Sequence, residues 1–224
     1  MVSEEYRGRV APYLARLSGP FLGWSPNRLS WLSLVLSALA AGLAALVRWE
    51  GPLLFLPVAL LVFLGGVFDV LDGEVARRTG RSSPRGDLLD HVLDRYADLF
   101  LLLGIAVSGY ANPLLALLAL VSLLLVSYMG TQAQAVGQGR RYSGLLSRAD
   151  RLLLLTLGTF FEFDLSLPWP WAPTAPLSRI HALGLTFTII DVVLLYFVLA
   201  GQWTALARAR ATYRAIPPVP PTVP

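Results

Sequence analysis

Residues 69–94 read DVLDGEVARRTGRSSPRGDLLDHVLD, and the fold turns on how so polar a stretch can sit between two apolar ones. Upstream lies PLLFLPVALLVFLGGVF (52–68) and downstream LFLLLGIAV (99–107). Two apolar runs, one ending in acids and the next beginning with them, predict antiparallel helices joined by a polar loop at a membrane surface. Acidic side chains at the edge of a hydrocarbon span are costly and are seldom kept without a task. Asp69 and Asp72 stand three apart and Asp90 and Asp94 four apart, so each pair shares a helix face.

The rest of the chain agrees with a membrane setting. Of its 224 residues 55% are hydrophobic and only 14% charged, with a mean hydropathy of +0.62. The expected fold is an all-α integral membrane protein of one domain, with six transmembrane helices over about 29–47, 52–68, 86–107, 113–130, 145–161 and 182–200. Residues 1–20 form an N-terminal interfacial amphipathic helix, with Tyr6, Val10, Tyr13, Leu14 and Leu17 at helical spacing. Residues 21–214 are the membrane domain, and 215–224 a proline-rich tail that cannot continue a helix. No cysteine is present, which excludes disulfides, thiolate metal sites and cysteine nucleophiles.

All eighteen basic residues are arginines, and fifteen of them fall on one side of the predicted topology, opposite Arg48, Arg179, Trp169 and Trp171. By the positive-inside rule that side is cytoplasmic, which puts both termini and all four aspartates there in a multi-pass plasma-membrane protein. No stretch interleaves basic and aromatic residues as a nucleic-acid surface does. The non-enzymatic alternative is a cation transporter with intramembrane aspartates. Transport sites lie near the bilayer midplane and commonly come with inverted repeats; no repeat is visible, and arginines beside the aspartates would repel a cation.

Four carboxylates converging from two helices repel one another unless cations join them. Hard divalent ions, Mg²⁺ or Mn²⁺, suit oxygen ligands and usually also coordinate phosphates. The intervening residues fit a phosphate ligand. Arg77, Arg78, Arg81 and Arg85 supply guanidinium groups, Ser82 and Ser83 hydroxyls beside a helix N-terminus, and Gly73 and Gly86 room for close approach. Helix capping and topology marking would account for one or two of these residues, not for the repeated pairing.

The spacing Asp69-x2-Asp72-Gly73-x2-Ala76-Arg77-x8-Gly86-x3-Asp90-x3-Asp94 resembles the complete signature of the CDP-alcohol phosphotransferase family, and the predicted six spans extend the resemblance over nearly the whole chain. The resemblance implies a membrane phospholipid-synthesis transferase that moves a phosphatidyl or archaetidyl group from a CDP-linked lipid to an alcohol, releasing CMP. Asp69, Asp72, Asp90 and Asp94 would bind two divalent ions, and Asp94 would be the catalytic base. Asp69, Gly73, Ala76, Arg77, Ser83 and Gly86 would line the CDP pocket.

A second polar island, Ser127–Arg151, addresses the acceptor. Arg140, Arg141, Arg148 and Arg151, with Gln132, could hold a phosphate carried by the acceptor; topology bias and lipid headgroups offer another reading. Ser127-Tyr128 and Arg148-x2-Arg151 resemble the inositol-phosphate branch of the family, and Gly130-Thr131-Gln132-Ala133-Gln134 is closer to archaeal members. That likeness implies CDP-archaeol, or else CDP-diacylglycerol, as donor, inositol 1-phosphate as acceptor and archaetidylinositol phosphate as product. Glycerol 3-phosphate and serine are the alternatives. Asp98 continues the Asp90–Asp94 face and would support the site or pair with Arg95 or another arginine. Asp191 is expected mid-span in helix six, paired with a hydroxyl or an arginine inside the bundle, and His91 off the aspartate face. Small residues Ala38, Ala40, Ala41 and Gly42 suit close packing, including a homodimer.

Overall fold

A computed structural model describes residues 12–139, 144–167, 179–182 and 185–217. Six long helices make the architecture: α1 (Pro26–Glu50), α2 (Phe55–Arg78), α3 (Pro84–Val107), α4 (Pro113–Ala135), α5 (Arg148–Ser166) and α6 (Ile189–Ala215). Their starts follow from sequence. Proline opens α1, α3 and α4, where its missing N–H costs nothing. Ser83 and Asn112 cap α3 and α4 through their side chains. Capping boxes, Ser147 with Asp150 and Thr188 with Asp191, open α5 and α6.

Each expected span corresponds to one helix, but several helices outrun the apolar segment that announced them. Helix α2 continues beyond Phe68 to Arg78, because nothing in DVLDGEVARR terminates a helix. The sixth departs most from expectation. Residues 179–188 hold a small antiparallel pair, β1 (Arg179–Ala182) and β2 (Leu185–Thr188), with Arg179 opposite Thr188. Helix α6 starts only at Ile189 and runs on to Ala215. Asp191 is therefore not mid-span. It closes the first turn of α6, accepting from Thr188 N at 3.1 Å and from Asn112 N at 2.7 Å, and so ties the starts of α4 and α6 together. Neither the expected position nor the expected hydroxyl or arginine partner is found; the carboxylate is met by main-chain N–H groups.

Taken in order of packing, α1, α2, α5, α6, α4 and α3 form a ring in which each helix rests mainly on two neighbours. The principal apolar core draws on all six helices and includes Val47, Phe55, Val62, Leu102, Leu123, Leu155, Leu194 and Phe197. In α1, α2 and α3 it occupies the half away from the aspartates. A smaller cluster of Leu29, Leu71 and Val75, with Phe21 against it, supports the aspartate end. There the chain is helical over 12–18 and turns at Gly19–Phe21. Arg78 holds this segment by donating to Ala15 O and Ser18 Oγ, both at 2.7 Å.

Among the described residues four helices are long and apolar enough to cross a membrane: α1, α4, α6, and α2 together with the turn preceding it (Pro52–Arg78). Helix α3 falls short because its N-terminal turns carry the charged residues of the first polar island, and α5 because it has Arg148, Asp150 and Arg151 at its start and Glu162 and Asp164 near its end. Residues 1–11, Arg140, Arg141, Ser143, Trp169, Trp171 and the tail from 218 lie outside the described residues.

Close helix contact depends on small residues where apolar burial alone cannot drive association. A Cβ on Gly104 of α3 would stand 2.4 Å from the Ala41 carbonyl oxygen of α1, whereas one on Gly42 would meet nothing within 4 Å. Gly104→Ala is expected to destabilise the bundle by about 1–3 kcal/mol, lowering Tm in detergent by roughly 2–12 °C. Gly42→Ala serves as the control and should leave Tm unchanged; equal shifts for the two would contradict the packing.

Candidate active site

Helix α2 carries Asp69 and Asp72, and α3 carries Asp90, Asp94 and Asp98. These two helices were expected to pack directly on each other. They instead both pack on α1, and the carboxylates face one another across the gap left between them. Carboxylate oxygens of Asp69, Asp72 and Asp90 lie within 4.8 Å of one another, and Asp90, His91 and Asp94 form a second such group. Three oxygen ligands from two helices at this separation fit Mg²⁺ or Mn²⁺, which take carboxylates at short range. Ser30 of α1 donates its hydroxyl to Asp72 Oδ2 at 2.5 Å. A further α1 serine fixes the α1–α2 interface: Ser33 donates to Gly65 O at 2.8 Å, while Ser37 donates within α1 to Ser33 O at 2.9 Å.

The second polar island folds onto the first. Arg148, at the start of α5, pairs with Asp69 at 3.0 Å and also contacts the carboxylate of Asp94. Arg151, one turn on, donates to Asp98 Oδ2 at 2.8 Å. Arg95 completes the network, 3.4 Å from Asp98 and 3.7 Å from Asp94. Both α5 arginines are buried, their side chains 14% and 6% exposed. Guanidinium groups placed there compensate carboxylates that burial would otherwise penalise.

The expected nucleotide-pocket residues occupy the α2–α3 turn. Ser83 Oγ accepts from Gly86 N at 3.1 Å. A Cβ on Gly86 would lie 3.3 Å from Ser83 Oγ and 3.7 Å from Asn27 Oδ1, so glycine keeps this corner open. Arg77 is largely exposed and pairs with Glu74 at 2.9 Å, with Gly73 beside it and half-buried Ala76 on the same helix. Arg78 and Arg81, expected to face phosphate, instead donate to main-chain oxygens of the N-terminal segment, Ala15 O and Trp24 O. Gln132 is exposed on α4.

Three contributors escaped sequence reasoning: Ser30, the place of Asn27 beside Gly86, and the proximity of His91 to the Asp90 carboxylate. The Ser30, Ser33 and Ser37 spacing was a legible signal, because one helix face carried three hydroxyls. His91 was expected off the aspartate face, yet its Nδ1 lies 3.6 Å from Asp90 Oδ2.

Comparison with known proteins yields a family. The family model described as CDP-alcohol phosphatidyltransferase matches residues 24–190. An archaetidylinositol phosphate synthase of Methanothermobacter thermautotrophicus is 38% identical over 59% of this chain and 66% of its own length. A phosphatidylinositol phosphate synthase of Cutibacterium acnes is 30% identical over 85% of this chain and 86% of its own. Among solved structures, the phosphatidylinositol phosphate synthase of Mycobacterium tuberculosis with CDP-DAG bound aligns with a TM-score of 0.66 at 22% identity. It covers 88% of this chain and 94% of that one. The same enzyme in complex with manganese and citrate aligns with a TM-score of 0.63.

Loss of a ligand oxygen should register in metal binding itself. Asp69→Asn and Asp90→Asn are each expected to weaken Mn²⁺ binding by at least about tenfold, the scale of one lost charge-assisted ligand, as titrated by electron paramagnetic resonance. Asp87→Asn, whose side chain is 68% exposed, should bind as the parent chain does; equal losses at all three positions would argue for a diffuse acidic surface.

Proposed function

This chain belongs to the CDP-alcohol phosphatidyltransferase family, and from that premise we propose that it joins a CDP-linked lipid to inositol 1-phosphate, releasing CMP. One observation carries the acceptor: Arg148 of the second polar island sits directly against Asp69 and Asp94. A plain amino alcohol such as serine requires no guanidinium beside a carboxylate cluster, whereas a phosphate-bearing acceptor does. The activities named for the archaeal and bacterial relatives agree with this reading, and the archaeal name favours CDP-archaeol over CDP-diacylglycerol as donor.

In this reading Asp69, Asp72 and Asp90 hold one divalent ion, and Asp94 reaches a second with Asp90. The bound metal supplies charge neutralisation on the diphosphate. Gly73, Ala76, Arg77, Ser83 and Gly86 receive the CDP moiety at the open end of the bundle, with Asn27 as a further contact beside Gly86. Asp94 accepts the proton of the acceptor hydroxyl. The freed oxygen bonds to the lipid-bearing phosphorus, the bond from that phosphorus to the bridging oxygen breaks, and CMP departs with that oxygen. Arg148 and Arg151, with Arg140 and Arg141, hold the acceptor phosphate so that its hydroxyl faces Asp94. Gln132 is assigned to the rim of the same pocket.

We further infer six crossings, with α3 and α5 completing the four apolar spans and a homodimer as the assembly. The aspartate end would face the cytoplasm, where Tyr13 and Leu17, 67% and 54% exposed, would place the N-terminal segment in the interface.

Assayed with a CDP-lipid, Mn²⁺ and single acceptors, the protein is expected to release CMP with inositol 1-phosphate and not with serine. Asp94→Asn should abolish release. Product formed only with serine would overturn the acceptor, and substantial turnover by Asp94→Asn would remove the base. Because the chain has no cysteine, orientation can be read directly. A cysteine at Ser82 should react with an impermeant maleimide only in inverted vesicles, and one at Trp49 only in right-side-out ones; the reverse pattern would invert the topology.

A further inference from the structure

We propose that Asp98 is the positioning residue of the acceptor pocket: its carboxylate sets the guanidinium groups of Arg151 and Arg95 that face the acceptor phosphate. The inference rests on the phosphate-bearing acceptor proposed above. Asp98 lies one turn beyond Asp94 and two beyond Asp90 on the same face of α3, yet belongs to neither carboxylate group able to hold a metal. It is 5% exposed, so its charge has to be met by partners.

Both partners are arginines. Arg151 Nη1 donates to Asp98 Oδ2 at 2.8 Å, and Arg95 Nη2 stands 3.4 Å from the same oxygen. Arg95 Nη2 also lies 3.7 Å from Asp94, so one guanidinium spans from Asp98 to the proposed base. The Nε groups of Arg95, Arg148 and Arg151 are buried without a hydrogen-bond partner among the described residues. Buried donors of this kind are costly when left unpaired. An incoming phosphate offers several charged acceptor oxygens to such donors, where an alcohol hydroxyl offers one neutral oxygen. Asp98 holds Arg151 by one fixed contact, so the direction in which Arg151 presents its remaining donors is fixed with it. Asp98 touches neither metal nor substrate in this scheme and acts through the two arginines.

The test is a double-mutant cycle on the full-length protein with CDP-lipid, Mn²⁺ and inositol 1-phosphate. Asp98→Asn is expected to raise KM for inositol 1-phosphate at least about tenfold. KM for the CDP-lipid and the Mn²⁺ affinity should stay within about twofold of the parent. Arg151→Gln should raise the same KM, and adding Asp98→Asn to it should cost nothing further, because contacting residues are not additive. Should Asp98→Asn not survive purification, Asp98→Glu keeps the charge but moves the carboxylate. It is then expected to raise acceptor KM severalfold with Tm intact. An unchanged acceptor KM in Asp98→Asn or Asp98→Glu, or full additivity in the cycle, overturns the role of Asp98 while leaving the acceptor standing. A parent enzyme that uses serine and ignores inositol 1-phosphate overturns both.

Discussion

The contact on which the site depends is that of Arg148 with the carboxylates of Asp69 and Asp94. It joins α5 to both α2 and α3, two helices that do not pack closely on each other. The gap between them is lined by charge. Carboxylates presented by facing helices repel one another unless cations lie between, and here the described cations are guanidinium groups. In the proposed function this is the space where the diphosphate and its metal would sit. Apolar packing in the far half of the bundle, around Phe55, Leu102 and Phe197, makes that separation tolerable by anchoring the helices where no charge intervenes.

The serines of α1 complete the support. Ser30 reaches Asp72, while Ser33 reaches the Gly65 carbonyl about two turns upstream. Hydroxyl-to-backbone bonds allow α1 and α2 to approach closely in a setting where hydrocarbon gives no drive for helices to associate. The carboxylate cluster is thus positioned by backbone proximity on one side and by arginines on the other, which leaves its open end for ligands.

Much of this was legible in the sequence, for physical reasons that differ by residue. The pairs Asp69–Asp72 and Asp90–Asp94 sit at helical spacing, and helical spacing is local, so their shared faces could be read without any tertiary information. Proline and serine at Pro84 and Ser83 likewise announced the start of α3. The seat of Arg148 was not legible, because it follows from α5 packing on α2, a pairing that no periodicity encodes. The contacts of Arg78 with Ala15 O and Ser18 Oγ and of Arg81 with Trp24 O were hidden for the same reason: they follow from how the N-terminal segment packs. The late start of α6 was missed because HALGLTFTII is apolar enough to extend a span, while the Thr188–Asp191 capping box that begins the helix depends on two residues only. Asp98 could be placed on the right face and given an arginine partner, Arg95, whereas its contact with Arg151 depends on where α5 packs.

The account stands or falls on whether the aspartate cluster is where a lipid-borne diphosphate meets its metal. Pulsed electron paramagnetic resonance of the Mn²⁺-loaded protein addresses this directly. Addition of a CDP-lipid is predicted to produce a phosphorus hyperfine coupling of directly coordinated strength, absent in the Asp69→Asn variant. Tight Mn²⁺ binding with no phosphorus coupling on addition of the donor would contradict it.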